Sequence, residues 1–289
     1  MTLAGIILVT VATIILVAFV FKCDKKEKEP ASLLWKLFIF SIFSIQIAIM
    51  LEQRLGNVLD VVFSPGMYSD GTYLYFKSQA IKVLYNFVDY FIVVACVEEG
   101  AKFLVIYLLT RHHPAFNCTY DGIVYSVICA LGFSLIEDVT YILHYNGIQT
   151  AIMRLSTEMA GHMFFAAIIG YFYGKSKIYF DAEDVKNRLK ANFFYCQDVD
   201  YKKKGTKLIW EGYLAAVLIH GTYDFITSFD GTVANIIFWV FVVASTIACI
   251  AIIVSQSRKD QYTLKEALNL IIHDNREVSP DAIINALNI

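Results

Sequence analysis

Apolar runs, and the polar residues that interrupt them, organise the whole chain. A helix that crosses a membrane needs about 20 mostly apolar residues, and seven stretches of the sequence meet that requirement. The first has no basic start or small-residue cleavage site, so it is not a signal peptide but a retained helix. The predicted fold is all-α, a polytopic transmembrane helix bundle. The seven predicted spans cover residues 3–22, 34–51, 82–110, 119–143, 153–174, 208–229 and 231–255.

Lysine and arginine collect between alternate spans. They follow the first span at 22–28 and the third at Arg111, fill the loop 175–207, and begin the tail at Arg258. Cytosolic loops carry an excess of these residues, which predicts an N-terminus outside and a cytosolic C-terminus. Three parts are expected: two N-terminal helices with an outer loop at 52–80 (1–80), a core (81–229), and the last span with a cytosolic amphipathic tail (230–289).

The tail is predicted to be helical. Thr263 and Glu266 have the spacing of a capping box, and Ser279-Pro280 has the form of a second helix start. An apolar stripe of Leu264, Leu268, Ile271 and Ile272 would form one face of the first tail helix.

Composition agrees with the pattern of spans. Hydrophobic residues make up 57% of the 289 residues and charged residues 17%, against about 45–50% and about 25% in soluble domains. These values exclude an ordinary soluble enzyme, a disordered chain and a disulfide-rich secreted module. A net charge of -2 gives no sign of nucleic-acid binding. The six cysteines have no CxxC spacing, so neither disulfides nor a zinc–thiolate site is predicted.

Four predicted spans contain ionisable residues, which are the main functional candidates. Each such residue costs about 2.5–3.5 kcal/mol inside a bilayer, so its presence indicates a function or a partner. Residues four positions apart in a helix share one face. This spacing pairs Glu98 with Lys102, Glu158 with His162, and His220 with Asp224. The groups are Glu98, Glu99 and Lys102; Glu137 and Asp138; Glu158 and His162; and His220 and Asp224.

The depth of these residues predicts a single site. Counted at 1.5 Å per residue, they share a layer between the midplane and the outer leaflet. Glu98 with Lys102 alone fits a structural pair, but four helices with acids and histidines at one depth do not fit that interpretation. Asp138 and Glu158 are predicted to be structural. Asp138 points about 100° from Glu137, and Glu158 is expected near the outer interface with Arg154.

The same residues form four ordered motifs, each on its own hydrophobic helix. They read Glu98-Glu99-Gly-Ala-Lys102, Phe133-Ser-Leu-Ile-Glu137, His162 with Gly170 eight residues on, and His220-Gly-Thr-Tyr-Asp224. Over about residues 82–229 this set resembles the PrsW family of intramembrane proteases, which are relatives of the CAAX prenyl endopeptidases and of membrane-embedded glutamic-type proteases. Asp138 departs from the pattern, because family members often have Asn there.

The resemblance implies an intramembrane endopeptidase. Its substrate would be a single-span membrane protein, expected to be an anti-sigma factor cut on its extracytoplasmic side in regulated proteolysis. The implied location is the bacterial cytoplasmic membrane, with the lipid bilayer and the membrane-anchored substrate as partners and no nucleic acid.

Peptide hydrolysis needs an activated water, oxyanion stabilisation and a proton for the leaving amine. Glu98 is assigned as the base. One of His162 and His220 would position the water, and the other, with Asp224, would stabilise the oxyanion. Glu99 and Glu137, with Lys102, would tune the local charge. The predicted catalytic residues are thus Glu98, Glu99, Glu137, His162, His220 and Asp224, with Lys102 and Phe133 as supporting residues.

The sequence contains no HExxH, GxSxG or GxGD motif. The absence of the metal-binding HExxH motif favours a metal-free glutamic mechanism with no cofactor. Zinc remains the alternative, with Glu98, Glu137, His162 and His220 as candidate ligands.

Two other classes of function stay open at this stage. Acids and histidines within spans also build ion paths, so an ion- or proton-coupled transporter is one alternative. A non-catalytic membrane scaffold is the other.

Overall fold

The computed structural model of the protein describes residues 1–70, 74–145, 147–192, 194 and 196–275. The regular structure of these residues is helical apart from one small hairpin and an isolated bridge between Cys118 and Tyr262, so the all-α prediction is confirmed. The hairpin pairs β1 (Met67–Ser69) with β2 (Leu74–Phe76) in antiparallel fashion. The helices are α1 (Thr2–Cys23), α2 (Ala31–Phe63), α3 (Gln79–Val88), α4 (Cys96–Thr110), α5 (Asp121–His144), α6 (Gly147–Ser156), α7 (Glu158–Ala191), α8 (Tyr201–Thr227), α9 (Thr232–Arg258) and α10 (Thr263–Asp274).

Four helical segments among the described residues are long and apolar enough to cross a membrane. The predicted spans 82–110, 153–174 and 208–229 also lie in helices, but these helices carry the ionisable groups. The count of seven spans and the orientation of the chain therefore stay predictions. The four segments are Thr2–Cys23, Ala31–Gly66, Asp121–His144 and Thr232–Arg258.

The predicted outer loop at 52–80 is largely wrong. Instead, α2 continues to Phe63, because residues 52–63 are rich in leucine and valine and contain no proline. The turn residues Pro65 and Gly66 end it, and the short hairpin and the start of α3 follow. A consequence for function is that Glu52 lies on a helix and not in a loop.

The predicted span 153–174 is interrupted and then extended. The helix breaks at Thr157, between α6 and α7, and α7 continues to Ala191. Much of the predicted loop 175–207 is therefore helical. Ion pairs within the helix, Lys177 with Asp181 and Lys186 with Glu183, support this extension.

The tail helix α10 forms as predicted, but its capping box does not. The Thr263 hydroxyl donates to Asp181 Oδ2 at 2.6 Å and lies 3.0 Å from Asn117 O, so it ties the helix to other segments and does not cap it. Of the predicted apolar stripe, Ile271 is buried against α7, whereas Leu264 is 45% exposed and does not join the buried face. Ser279-Pro280 lies outside the described residues.

Helices α5 and α7 form the centre of the bundle, and glycines bring their backbones together. A Cβ atom added to Gly122 would lie 2.5 Å from Gly170 O and 2.5 Å from Gly174 N. Small residues allow such close helix contacts in membranes. Because α5 carries Glu137 and α7 carries His162, this contact also sets the distance between two site residues.

Gly122→Ala is expected to lower the free energy of unfolding by about 1–3 kcal/mol, because the added methyl group overpacks the contact. The measurement is equilibrium unfolding of the purified protein in mixed micelles. Gly56→Ala is the matched control, since nothing lies within 4 Å of the Cβ position there. Equal stability of the two variants would contradict the expectation.

The loop between α1 and α2 holds buried carboxyl groups. Glu29 is 3% exposed and Asp24 is 1% exposed, and the Glu29 carboxylate accepts a hydrogen bond from the Tyr125 hydroxyl. Burial raises the pKa of Glu29 from its usual 4.5 to about 7 and the pKa of Asp24 to about 6. The folded protein therefore holds protons here that the unfolded chain has already released.

The raised pKa of Glu29 stabilises the folded state at low pH. This contribution to the free energy of unfolding is complete below about pH 4.5 and is lost as the pH rises through about 7. We expect the protein to be less stable at pH 8 than at pH 5. Glu29→Gln, which stays neutral, should reduce that difference by about 1–3 kcal/mol. Glu27→Gln in the same loop is the control and should retain most of the difference, since the Glu27 charge is the smallest of the causes that raise these pKa values. Unfolding in mixed micelles across this pH range measures both effects.

Candidate active site

An acidic cavity of about 290 Å³ lies among the central helices. Its wall includes four of the six residues predicted to be catalytic, and the other two, Glu99 and His162, lie behind that wall and are each 1% exposed. The structure therefore brings together the residues that α4, α5, α7 and α8 supply. The four that line the cavity are Glu98, Glu137, His220 and Asp224.

The start of α4 sets the directions of the two neighbouring glutamates. Residues Asp89–Ala95 form a π-helical segment that leads into α4, and the Tyr213 hydroxyl donates to Cys96 O at 2.7 Å just after it. Such segments are frequent at functional sites. Adjacent helical residues point about 100° apart, so Glu98 faces the cavity while Glu99 faces α8.

Lys102 lies at the centre of the site. Its Nζ atom is 2.6 Å from Glu99 Oε1 and 3.3 Å from Glu98 Oε2. It is also 3.0 Å from His162 Nδ1 and lies 4.5 Å from the centre of the Phe133 ring. One buried cation thus holds both glutamates, and Phe133, predicted as a supporting residue, covers it.

The partners of His162 define the position of its ring hydrogen. The Lys102 ammonium group can only donate, so Nδ1 accepts and Nε2 carries the hydrogen. Nε2 lies 2.9 Å from Glu137 Oε2, 3.3 Å from Glu158 Oε1 and 4.0 Å from Glu98 Oε2. His162 therefore collects three carboxylates around one nitrogen.

His220 is the histidine that lines the cavity. Its Nδ1 atom donates to Glu99 Oε1 at 2.9 Å, and its Nε2 atom lies 3.3 Å from Asp224 Oδ2. The ring stacks on Phe165, with 4.7 Å between ring centres. The ring is thus fixed by Glu99 on one edge, while its other nitrogen is directed to the cavity and Asp224.

Arg154, on α6, neutralises the adjacent acids of α5. Its Nη2 atom is 2.7 Å from Glu137 Oε1, and its Nε atom is 2.5 Å from Asp138 Oδ1. Asp138 is fully buried and also lies 3.4 Å from the Ser134 hydroxyl. Asp138 is directed away from the cavity, and its contacts agree with the structural role predicted for it.

Two further acids line the cavity although the sequence patterns did not assign them to the site. Glu158, predicted to be structural, is on the wall beside His162, and Glu52 reaches the wall from α2. Glu52 Oε1 is buried and has no hydrogen-bond partner among the described residues. In the sequence, Glu52 is a charge directly after an apolar run. It was not assigned to the site because residues 52–80 were predicted to form a loop.

The donor atoms at the cavity fit a divalent metal ion. One ligand atom from each of Glu98, Glu137 and His162 lies within 4.8 Å of the others, and Glu98, Glu99 and His220 form a second such group. Histidine nitrogen with carboxylate oxygen is a donor set that zinc accepts. A metal ion at His162 Nε2 would replace the hydrogen there, so binding would release a proton.

The fold and the site together define a multi-pass membrane protein with a hydrolase-type cluster of acids and histidines among its helices. The family model that matches the chain is described as "PrsW family intramembrane metalloprotease", and the match covers residues 29–250. The chain belongs to the PrsW family and is an intramembrane protease, which decides against the transporter and the scaffold.

Curated relatives support the same assignment. The chain is 27% identical over 211 residues to "Protease PrsW" of Geobacillus kaustophilus, covering 73% of this chain and 74% of that one. It is 29% identical over 225 residues to the protein of that name in Clostridioides difficile, with 76% and 77% covered. For the Oceanobacillus iheyensis protein the identity is 33% over 140 residues, with 48% and 54% covered. No solved structure matches the chain.

Proposed function

We propose that the protein hydrolyses a peptide bond of a single-span membrane protein in the acidic cavity, with Glu98 as the general base. The observation that carries this proposal is the convergence of Glu98 and His220 on one cavity wall, each held from behind by a buried partner. Lys102 holds Glu98, and Glu99 holds His220. Groups positioned in this way are prepared for proton transfer before the substrate arrives.

The reaction can be followed atom by atom. Glu98 takes a proton from water as the water oxygen attacks the peptide carbonyl carbon. The carbonyl oxygen becomes negatively charged, and His220, protonated at Nε2 and held by Glu99 and Asp224, donates a hydrogen bond to it. The carbon–nitrogen bond then breaks as Glu98 returns the proton to the leaving amine.

The roles of the two histidines are separated by their surroundings. His220 lines the cavity and stacks on Phe165, so it can meet the substrate. His162 lies behind the wall between Lys102 and Glu137, so it positions the acids. A metal ion held by Glu98, Glu137 and His162 would polarise the carbonyl group or activate the water.

The expected substrate is an anti-sigma factor cut on its extracytoplasmic side, in the bacterial cytoplasmic membrane. Glu98 lies near the middle of its predicted span, and Glu137, His220 and Asp224 lie in the halves of their spans that the basic loops assign to the outer leaflet, which supports a cut on that side. The basic residues around Arg111 and the 175–207 region would then lie in the cytosol.

The proposal is tested by mapping new protein N-termini in cells that express the wild type or the double variant Glu98→Gln/His220→Ala. We expect cuts in or beside the spans of single-span proteins with the wild type and their loss with the variant. Membrane insertion of both forms is checked by immunoblotting. Cuts that persist with the variant would overturn the assignment of these two residues.

Metal binding has its own expected outcome. Zn²⁺ titrated into the purified, metal-stripped protein should bind with release of a proton, and His162→Ala should weaken binding at least about tenfold. Calorimetry in buffers of different ionisation enthalpy measures both effects. Asp224→Asn is the control, because Asp224 belongs to neither donor group. An absence of Zn²⁺ binding to the wild type would contradict the metal site at Glu98, Glu137 and His162.

A further inference from the structure

A groove of about 470 Å³ runs between α4 and α8, away from the acidic cavity. Its lining is mostly apolar and aromatic, and includes Phe103, Leu104 and Trp210. Leu104 is 53% exposed and Trp210 is 57% exposed. Since these residues lie in predicted spans, the open side of the groove faces the hydrocarbon of the bilayer.

A polar cleft of about 520 Å³ adjoins this groove at the predicted cytosolic end of α4. The two cavities share three wall residues, Arg111, Phe180 and Lys202. An apolar groove that joins a polar cleft through two cations matches a molecule with an apolar tail and an anionic head.

The two shared cations have no carboxylate partner among the described residues. Arg111 bonds to the Tyr107 hydroxyl and lies 5.3 Å from the centre of the Phe180 ring, and Lys202 forms no ion pair. Of the three acids that line the cleft, Asp181 binds Lys177 at 2.5 Å and Glu183 binds Lys186 at 2.8 Å. The third, Asp184, lines the polar cleft but is not among the wall residues that the two cavities share. The two cations on the shared wall, Arg111 and Lys202, can therefore bind an anion.

The groove and the acidic cavity have no lining residue in common among the described residues. At the deep end of the groove Tyr213 is fixed by its hydrogen bond to Cys96 O, and Gly100 lies beside it. A spanning helix about 10 Å wide and 30 Å long occupies roughly 2,400 Å³, about five times the volume of the groove. The space suits an acyl chain and not an incoming substrate helix.

We propose that the α4–α8 groove binds an anionic phospholipid. The acyl chain lies along Phe103, Leu104 and Trp210, and the phosphate group lies between Arg111 and Lys202. Cations at a membrane surface attract anionic lipids in this way. The bound lipid would fill the gap between two helices that carry active-site residues and so support their packing.

Trp210 allows a direct test, because it is one of three tryptophans and lines the groove. The full-length protein with Trp35→Phe and Trp239→Phe keeps Trp210 as its only tryptophan. It is reconstituted in phosphatidylcholine vesicles that contain brominated phosphatidylglycerol, or brominated phosphatidylcholine at the same mole fraction. We expect a roughly tenfold preference of the Trp210 site for the anionic quencher, as two cations would give.

The double change Arg111→Gln/Lys202→Gln should reduce that preference to about onefold to twofold, whereas Lys203→Gln, on the same helix but outside both cavities, should not. A second control keeps Trp35, which lines an uncharged apolar groove of about 410 Å³, and should be quenched equally by both lipids. Equal quenching of Trp210, or an unchanged preference in the double variant, would overturn the proposal. So would loss of the preference on adding inorganic phosphate, which would indicate a site for a free anion.

Discussion

Glu98→Gln is expected to lower the rate of peptide-bond cleavage by about 10²–10⁴-fold, the usual contribution of a general base. Glutamine keeps the size of the side chain and can still contact Lys102, but it cannot take a proton from water. The folded structure should persist, because Lys102 retains Glu99 at 2.6 Å. The loss should therefore appear in the turnover rate and not in the amount of folded protein.

The rate is measured with the purified protein in proteoliposomes, using a single-span protein identified by terminal mapping. Glu211→Gln is the matched control, because Glu211 is on α8 outside the cavity and, among the described residues, has its ion pair with Lys207. A Glu98→Gln variant that cleaves at the wild-type rate would transfer the role of base to another acid on the wall. Glu158 and Glu52 are the first two to be tested in that case.

The hydropathy pattern predicted the helix bounds well where a helix is apolar over nearly its whole length. The apolar runs of α1, α5 and α9 correspond to helices with nearly the predicted bounds. The bounds failed where helices continue past an apolar run, because residues 52–63 and 175–191 are more polar than that run but still suited to a helix. Hydropathy marks the apolar part of a helix, whereas ion pairs such as Lys177 with Asp181 support the helix beyond that part.

The candidate site shows the same division between local and long-range information. Spacing of four residues placed His220 near Asp224, and the two lie 3.3 Å apart. Spacing could not show that Lys102 reaches His162, because these residues are 60 positions apart and meet only through the packing of α4 against its neighbours. For the same reason, Arg154 was expected only beside Glu158, and its contacts with Glu137 and Asp138 were not predicted. Glu52 was missed because it was placed in a loop.

Lys102→Met is expected to have the largest effect on stability, a loss of about 3–5 kcal/mol. Glu98 and Glu99 are 8% and 1% exposed, so removal of their shared cation leaves two close carboxylates without compensation. An exposed ion pair gives only about 0–1 kcal/mol. The difference between these magnitudes follows from burial, because water cannot screen the charges left at the centre of the bundle.

Unfolding of the purified protein in mixed micelles measures this loss, with Lys36→Met, at an exposed position on α2, as the control. Lys102→Met/Glu99→Gln should recover part of the lost stability, because it removes the acid at 2.6 Å together with its partner. It should not recover cleavage, since His220 then lacks the carboxylate that fixes its ring. Full stability of Lys102→Met alone would mean that Lys102 does not compensate the two glutamates. If stability recovers but cleavage does not, the buried charge network has two separable roles. The stability of the bundle depends on balanced buried charges, whereas cleavage depends on the position of each charged group.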